Sequence, residues 1–324
     1  MTSSLSNWVD RVRLVRMRAR HWSVAIAIAV IVTASGCGQG DAVGAPPGGI
    51  PVGSSHAAIE FGGQQRSYEI YRPARLPSSA PLVVMLHGGY GDARQAERAY
   101  GWDAVADRGG VLVAYPQGVG RSWNAGSCCG PAQRRNVDDV GFVLAMVHDI
   151  ERRTSIDIRR VFATGMSNGA MMALRLPCET SEFAAIAPVA GTIVTDCVGA
   201  HPTSVLQIHG TSDDRVPYGG GPGEAFNAGG TARVEGMSIP QVNALWRATD
   251  RCGPPVTVTA GSVTRSSATC AQSRAVELIS VTGAGHQWPG SNTASVGAAR
   301  GAPVPSTVLD ATSVIWQFFT AHPA

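Results

Sequence analysis

A serine between two glycines is the first feature of this sequence that could do chemistry. Residues 164–170 read TGMSNGA, which places Ser167 at G-x-S-x-G spacing between a strand-like RRVFA segment and a helix-like MMALRL segment. A tight turn that presents a serine side chain needs small neighbours, and Gly165 and Gly169 supply them. The helix that follows brings the positive end of its dipole near the serine. The motif alone is only moderately specific, so Ser167 is a candidate nucleophile that needs partners.

Two later turns carry the groups that could activate this serine. The segment QIHGTSDDRVPY places Asp213 and Asp214 just past a predicted strand, and VTGAGHQWPG places His286 in a turn after another strand. A carboxylate in such a turn can orient an imidazole, which can then take a proton from a serine. The alternative for either aspartate is a side chain that only stabilises its own turn. The chain order Ser167, Asp213, His286 is that of α/β-hydrolases and predicts a nucleophile, an acid and a base.

A glycine-rich turn after an early strand could stabilise the charge that this reaction develops. Acyl transfer to a serine creates an oxyanion, which needs backbone N–H donors held in place before the reaction. One donor lies after an early strand, and the other directly follows the nucleophile. In MLHGGYG the candidates are Gly89 and Tyr90, and after the serine the candidate is Asn168. His87 is predicted to stabilise the turn.

Short apolar strands alternate with amphipathic helices along most of the chain. Buried strands are predicted in PLVVML, VLVAYP, VFATG, FAAIAPVAG, SVLQIHG and AVELISVTG. Helices are predicted at residues 93–108, in DVGFVLAMVHDIERR with Asp138 or Asp139 as N-cap, and in MMALRL, PQVNALWRAT and LDATSVIWQFF. This alternation predicts an α/β fold with a mostly parallel central sheet and helices on both faces. Ligands of such sheets bind beyond the carboxyl ends of the strands, where the three turns are expected to meet.

The segment after the nucleophile helix leaves no room for a large lid domain. Only TIVTDCVGAHPT separates the strand APVAG from the next strand. An open, shallow site follows, which suits a polymer chain or a surface-attached ester. Its walls are expected to come from the GVGRSWNAGSCCG loop with Trp123, from Trp288 and from the glycine-rich loop after Tyr218. The alternative for both tryptophans is a packing role.

The N-terminus is typical of an export signal. Residues 11–20 carry five arginines, the apolar run Val24–Val32 follows, and TASGC comes next. We expect residues 1–36 to be a lipoprotein signal peptide and Cys37 to carry the lipid, although Ala34 stands where a lipobox usually has leucine. An uncleaved anchor is the alternative. Residues 37–56 are predicted to be a flexible Gly/Pro-rich tether and residues 57–324 an esterase domain. The protein is then exported, either anchored at the outer face of the cytoplasmic membrane or extracellular.

Six cysteines follow Cys37, and an even number in an exported protein predicts disulfides. Proximity in the sequence favours the pairs Cys178–Cys197 and Cys252–Cys270. The adjacent Cys128 and Cys129 then pair with each other or stay reduced. A zinc site is disfavoured because the chain has no C-x-x-C pair and no histidine near these cysteines at ligand spacing.

The net charge argues against nucleic acid as a partner. The chain carries a formal charge of +3, and removing residues 1–36 with their five arginines and Asp10 brings it to −1. The basic character therefore belongs to the export signal, and the remaining domain has no basic block that could bind phosphates.

Seven segments together resemble one family of secreted esterases. They are LHGGYG, SWNAGSCCG, NVDDVGF, IDIRRVFATGMSNGAMMALRL, FAAIAPVAG, IHGTSDDRVPY and GHQWPG. The family comprises polyhydroxybutyrate depolymerases and feruloyl or acetylxylan esterases, among them lipoproteins of the LpqC type, and the similarity runs from about residue 58 to 320. It implies an α/β-hydrolase fold, no cofactor, and Ser167, Asp213 and His286 as the catalytic residues. Ala170 and Ile158 depart from the usual pattern without touching the chemistry.

These observations predict a serine carboxylesterase that works through an acyl-enzyme, with a polyester or short hydroxyalkanoate ester as substrate. A feruloyl or acetylxylan esterase acting on polysaccharide esters is the alternative. Three further alternatives are a non-catalytic binding lipoprotein of hydrolase fold, a metallohydrolase using His209, Asp213 and His286, and a surface adhesin. No cofactor and no metal are expected, and the membrane is expected as a partner only through Cys37.

Overall fold

The computed structural model of the chain describes residues 49–223, 234–292 and 304–324. The predicted signal peptide, Cys37 and most of the predicted tether lie outside these residues. The described part of residues 37–56 shows that the tether prediction was too long. The first strand begins at Gly53, which pairs with Arg72 of the second strand. Ile50, three residues earlier, is already buried.

The center of the fold is one sheet of ten strands in the described residues, accompanied by a separate two-stranded ribbon. The strands, in chain order, are β1 Gly53–Phe61, β2 Gln64–Arg72, β3 Ala80–Leu86, β4 Leu112–Pro116, β5 Ile156–Met166, β6 Ala185–Val189, β7 Ser204–Gly210, β8 Gly221–Pro222, β9 Glu235–Gly236, β10 Val256–Ala260, β11 Val263–Thr269 and β12 Ala275–Val281. The ribbon consists of β8 and β9.

The middle of the sheet is parallel and both of its edges are antiparallel. The spatial order is β1-β2-β4-β3-β5-β6-β7-β12-β11-β10, and the six strands from β4 to β12 run parallel to one another. The central strands β3, β4, β6 and β7 are buried along their whole length, as expected for strands covered on both faces. The predicted mostly parallel sheet is therefore confirmed, with antiparallel edge strands added.

Helices cover both faces of this sheet. Their bounds are α1 Ala93–Ala99, α2 Trp102–Gly109, α3 Gly130–Arg134, α4 Asp139–Arg153, α5 Asn168–Glu179, α6 Ile239–Thr249 and α7 Ala311–Ala321. Successive side chains of a strand point to opposite faces. Leu82 and Val84 of β3 accordingly pack with α4, α5 and α6, whereas Val83 and Met85 pack with α1, α2 and α7. No helix of the described residues is both long and apolar enough to cross a membrane.

Two local predictions were wrong for physical reasons. The helix expected at residues 93–108 is divided into α1 and α2, because Gly101 adopts a left-handed conformation with φ 73° between them. The strands β10 and β11 were missed because β10 (VTVTA) is exposed, β11 (VTRSSAT) is mostly half-buried, and neither carries a buried apolar run. Asp138, one of the two predicted N-caps of α4, accepts a hydrogen bond from Gly141 N–H at 2.8 Å.

The disulfide pairs predicted from sequence proximity are confirmed. Cys178 is joined to Cys197 and Cys252 to Cys270. Cys128 is joined to Cys129, which is one of the two outcomes that the sequence left open.

Candidate active site

Ser167 lies in a sharp turn between β5 and α5. Its backbone has φ 55° and ψ −117°, an uncommon conformation for a residue other than glycine. Its N–H donates to the carbonyl of Val189 at 2.9 Å, which ties the turn to the end of β6. A Cβ at Gly165 would overlap the backbone of Gly169, and a Cβ at Gly169 would overlap the carbonyl of Leu86. Both glycines of G-x-S-x-G are thus required by close approach of backbone to backbone.

The three predicted side chains meet at this turn. The Nε2 atom of His286 lies 2.8 Å from the Oγ of Ser167, and its Nδ1 lies 2.8 Å from the Oδ2 of Asp213. Because Nδ1 faces a carboxylate it carries the ring proton, and Nε2 is left to accept the proton of the serine hydroxyl. The three residues are buried, with 7%, 4% and 8% of Ser167, Asp213 and His286 exposed. This arrangement is that of a nucleophile, its base and the group that orients the base.

Asp213 and Asp214, which the motif left equivalent, have different environments. Asp214 is exposed, whereas the Oδ1 of Asp213 accepts from the N–H groups of Arg215 and Val216, each at 2.9 Å. Burial acts to raise the pKa of Asp213, but hydrogen bonds from His209 and His286 outweigh it and hold the pKa below its ordinary value. The carboxylate that faces His286 is therefore charged at neutral pH.

The candidate oxyanion donors are only partly as predicted. A Cβ at Gly89 would lie 3.8 Å from the Cβ of Asn168, so the turn after β3 and the start of α5 adjoin. No carbonyl among the described residues accepts from the N–H of Gly89 or of Asn168. Tyr90 was a wrong candidate, because its N–H donates to the carbonyl of Arg121 at 2.9 Å. The geometry thus leaves the N–H groups of Gly89 and Asn168 as the candidate donors.

His87 holds the turn that carries Gly89. Its Nδ1 donates to the carbonyl of Gly88 at 2.8 Å, and its Nε2 accepts from the N–H of Gly118 at 3.0 Å. Burial lowers the pKa of His87 to about 4, so the ring is neutral and can make both bonds at once. The role predicted for this residue, stabilising the turn, agrees with these contacts.

Trp123 and Trp288 are packing residues, which contradicts the prediction that they form walls of the site. Only 0% and 1% of their surfaces are exposed. The indole N–H of Trp123 donates to the carbonyl of His87 at 2.9 Å, and that of Trp288 donates to the Oγ1 of Thr312 at 3.0 Å. Each ring satisfies its one polar atom inside the protein, so neither offers a face to a ligand.

A groove of about 580 Å³ lies between the loop after Trp123, the segment that follows β6, and the strand β9. A Cβ at Gly191 would be 2.5 Å from the Cβ of Ala170 and 3.1 Å from the carbonyl oxygen of Ser167, so the segment before Ile193 runs close to the start of α5. Hydrogen bonds hold its walls together: Ser127 N–H donates to Val194 O at 2.8 Å, and Thr192 Oγ1 donates to Met237 O at 2.6 Å. The lining residues come from three segments and are Gly126, Ser127, Ile193, Val194, Thr195, Asp196, Glu235, Gly236 and Met237.

One of the three segments that line this groove was predicted from the sequence. The loop predicted as a wall contributes Gly126 and Ser127, whereas the contributions of residues 193–196 and 235–237 were not anticipated. Within the described residues, no group of three or more His, Cys, Asp and Glu side chains is placed to hold a metal ion.

The parallel sheet covered on both faces, with a serine at the turn from β5 to α5, defines an α/β-hydrolase. A family model described as Esterase PHB depolymerase matches residues 66–217. A protein of Nocardia uniformis subsp. tsuyamanensis with the name "Putative esterase NocK" is 30% identical over 308 residues, covering 82% of this chain and 89% of NocK. The chain belongs to the esterase PHB depolymerase family and is an esterase.

Other relatives match over smaller parts of their length or share only the fold. Feruloyl esterase B of Piromyces equi is 29% identical over 225 residues, which are 64% of this chain and 40% of that protein. The solved structure of acetyl xylan esterase from Aspergillus awamori superimposes with a TM-score of 0.59 at 16% identity, covering 82% of this chain and 99% of that one. This structural likeness confirms the α/β-hydrolase fold.

Proposed function

We propose that the protein is a serine carboxylesterase in which Ser167 is the nucleophile, His286 the general base and Asp213 the residue that orients the base. The observation that carries the proposal is the continuous path of two 2.8 Å hydrogen bonds from Ser167 Oγ through the imidazole to Asp213 Oδ2. The charged carboxylate stabilises the imidazolium that forms when His286 takes the serine proton.

In the first step Ser167 Oγ attacks the ester carbonyl while His286 Nε2 takes its proton. The carbonyl oxygen becomes an oxyanion, to which the N–H groups of Gly89 and Asn168 donate. Losing one such donor typically costs about 10²–10³ in rate. The tetrahedral intermediate then expels the alcohol, which leaves with the proton from His286, and an acyl-enzyme remains on Ser167.

In the second step water releases the acyl group. His286 takes a proton from water, the resulting hydroxide attacks the acyl carbonyl, and Ser167 leaves with the proton returned by the imidazole. The products are a carboxylic acid and the free enzyme. The same two backbone donors stabilise the second oxyanion.

The substrate proposed is a polyester chain or a short hydroxyalkanoate ester. Two observations support it: the family to which the chain belongs, and a groove of about 580 Å³, which is larger than a single acetyl group. A phenolic or acetyl ester on polysaccharide is the second candidate. It is favoured by the similarity to feruloyl esterase B. A panel of p-nitrophenyl esters, methyl ferulate, acetylated xylan and hydroxybutyrate oligomers separates the two by their kcat/KM values.

We also propose that the esterase domain works outside the cytoplasm, anchored through Cys37 or released. Three disulfides in the described residues support an oxidising compartment. The basic and apolar pattern of residues 1–36 supports export.

Active-site labelling tests the catalytic proposal. A fluorophosphonate probe reacts quickly only with an activated serine, so it is expected to modify Ser167 and abolish hydrolysis of p-nitrophenyl acetate. Peptide mass spectrometry identifies the labelled residue. Ser212, exposed on the turn before Asp213, gives the control: Ser212→Ala should be labelled and inhibited like the parent, and Ser167→Ala should be neither labelled nor active. Activity that survives in Ser167→Ala, or that EDTA removes, would refute the proposal.

A further inference from the structure

A second histidine lies beside the carboxylate of the triad. His209 is the residue before the last of β7, four positions ahead of Asp213, and 1% of its surface is exposed. The proposed mechanism gives it no part, since proton transfer runs through His286. A buried imidazole in such a position needs a physical reason, because burial of a polar ring is costly unless it is hydrogen-bonded.

The polar contacts of this ring are all made by one nitrogen. The Nε2 of His209 lies 2.8 Å from the carbonyl oxygen of Val216 and 3.3 Å from the Oδ2 of Asp213. Both neighbours are acceptors, so Nε2 carries a proton: it donates to Val216 O, and Asp213 Oδ2 is a second acceptor within reach of the same N–H. The Nδ1 atom has no hydrogen-bond partner among the described residues.

Two imidazole N–H groups therefore converge on one carboxylate oxygen. The Oδ2 of Asp213 accepts from His286 Nδ1 at 2.8 Å and lies 3.3 Å from His209 Nε2. The other oxygen, Oδ1, is taken by the backbone N–H groups of Arg215 and Val216. Because His209 also bonds Val216 O, it connects both ends of the turn 213–216 to β7 and limits rotation of the carboxylate.

The surroundings of His209 contain few other groups that could titrate. Tyr218 lies edge-on to the ring, with 6.1 Å between the ring centroids, and its hydroxyl is 2.7 Å from the Oγ of Ser280. Ser280 is the partner of His209 on the neighbouring strand β12. The helix α6, which packs against β7 and β12, carries the half-buried Arg247. Asp213 is thus the carboxylate that the His209 N–H meets directly.

We propose that His209 is a positioning residue that acts through Asp213: it donates a second N–H to the oxygen that orients His286, fixing the direction of that oxygen and sharing its negative charge. This inference rests on the proposed function. Without His209 the carboxylate rotates more freely, and more of its charge is available to His286. The imidazole is then less well aligned with Ser167 and binds a proton more readily before the reaction.

Three substitutions separate this role from simple packing. His209→Leu removes the donor and keeps an apolar side chain in the core. His209→Gln places an amide N–H at about the position of the histidine Nε2. The shorter side chain of His209→Asn places its amide at about the position of Nδ1, so Val216 O and Asp213 Oδ2 both lose their donor. His201, an exposed histidine before β7, provides the control variant His201→Leu.

The experiment measures kcat and KM for p-nitrophenyl acetate from pH 5 to 9, together with thermal unfolding. For His209→Leu we expect kcat to fall about 10- to 100-fold with KM unchanged, because misalignment of about 1 Å can cost about 10²-fold. The acid limb of kcat/KM, which reports the coupled Asp213–His286 pair, should move up by about half to one pH unit, as expected for the loss of a hydrogen bond to a charged group. His209→Gln should restore most of kcat and the position of the limb. His201→Leu should match the parent.

If His209→Leu does not fold, His209→Asn is expected to show the same defect relative to His209→Gln. Equal losses in all three His209 variants with an unmoved acid limb would assign a packing role, and unchanged kinetics in His209→Leu or His209→Asn would remove any role. Either result overturns the inference. It leaves the proposed function standing as long as Ser167→Ala is inactive, whereas an active Ser167→Ala overturns both.

Discussion

The side-chain amide of Asn168 forms hydrogen bonds with both the backbone N–H and the backbone carbonyl of Trp123. Its Oδ1 accepts from Trp123 N–H at 2.7 Å and its Nδ2 donates to Trp123 O at 3.0 Å. The indole of Trp123 in turn donates to the carbonyl of His87 at 2.9 Å. The residue after the nucleophile, the loop beside the groove and the turn that carries Gly89 are therefore one hydrogen-bonded unit, and the two proposed oxyanion donors are held relative to each other by it.

Asn168→Ala keeps the backbone N–H of residue 168 but removes both bonds to Trp123. We expect kcat to fall about 10²-fold, because the donors lose the alignment that the unit gives them. The measurement is steady-state hydrolysis of p-nitrophenyl acetate, alongside circular dichroism to check folding. Asn243, which is similarly buried on α6, supplies the control variant Asn243→Ala. Equal kcat values in the two variants would show that the side chain of Asn168 does not align the donors.

Asp213→Asn tests which of two adjacent carboxylates orients His286. The amide presents no charge to the imidazolium and favours the wrong tautomer, so we expect kcat to fall about 10⁴-fold. Asp214→Asn, one residue away, should stay within about twofold of the parent, because its side chain is exposed and exposed substitutions usually change free energies by less than about 0.5 kcal/mol. Comparable losses in both variants would contradict the assignment, and the kcat values of the two purified proteins decide it.

The sequence contained the chemistry of the site but not its supporting contacts. Ser167, Asp213 and His286 could be predicted because each follows a strand whose apolar run marks it as central, and parallel strands bring such turns to one edge. The choice between Asp213 and Asp214 needed either a family resemblance or the fold itself, since the two share type, charge and turn. The strands β10 and β11 gave no apolar signal, because β10 is exposed along its length and β11 is mostly half-buried.

Tertiary packing decided the residues that sequence analysis assigned wrongly. Tyr90 was a reasonable donor by position, but the path of the turn directs its N–H to Arg121. Trp123 and Trp288 lie in glycine-rich loops, where an aromatic side chain often contacts a ligand. Their rings instead point into the core, where His87 O and Thr312 Oγ1 accept hydrogen bonds from their indole N–H groups.

A half-buried carboxylate on α2, that of Asp103, gives the protein a testable dependence of stability on pH. Burial raises the pKa of Asp103 to about 6, although a hydrogen bond from Tyr115 OH at 2.6 Å opposes the rise. A group with a raised folded-state pKa holds its proton more tightly when folded, so the free energy of unfolding falls as pH rises from about 4 to about 6. Because Asp103 is only partly buried, we expect a contribution of about 1–2 kcal/mol, reduced by solvent screening.

Asp103→Asn removes this titration and should flatten the curve. Between pH 4 and pH 7 the free energy of unfolding should fall in the parent more than in the variant, as measured by urea denaturation at each pH. Asp107→Asn is a matched control, since Asp107 lies on the same helix and accepts from Tyr71 OH at 3.0 Å but is exposed. Parallel curves for Asp103→Asn and parent would show that Asp103 does not hold its proton more tightly in the folded protein.

The two longer disulfides allow stability and activity to be separated. Cys178–Cys197 and Cys252–Cys270 close loops of similar size, with sequence separations of 19 and 18. Replacing either pair by serines should lower the free energy of unfolding by about 3 kcal/mol, as expected for loops of this length. Only Cys197 directly follows a segment that lines the groove, residues 193–196, whereas Cys270 follows β11, which lies next to the edge strand β10. Removing Cys178–Cys197 should therefore raise KM for methyl ferulate and hydroxybutyrate oligomers, while removing Cys252–Cys270 should leave it unchanged. The KM values of both variants and of the parent, measured at 20 °C on folded protein, test this. If KM rises equally in both variants, the wall of the groove that Cys178–Cys197 anchors does not contribute to substrate binding.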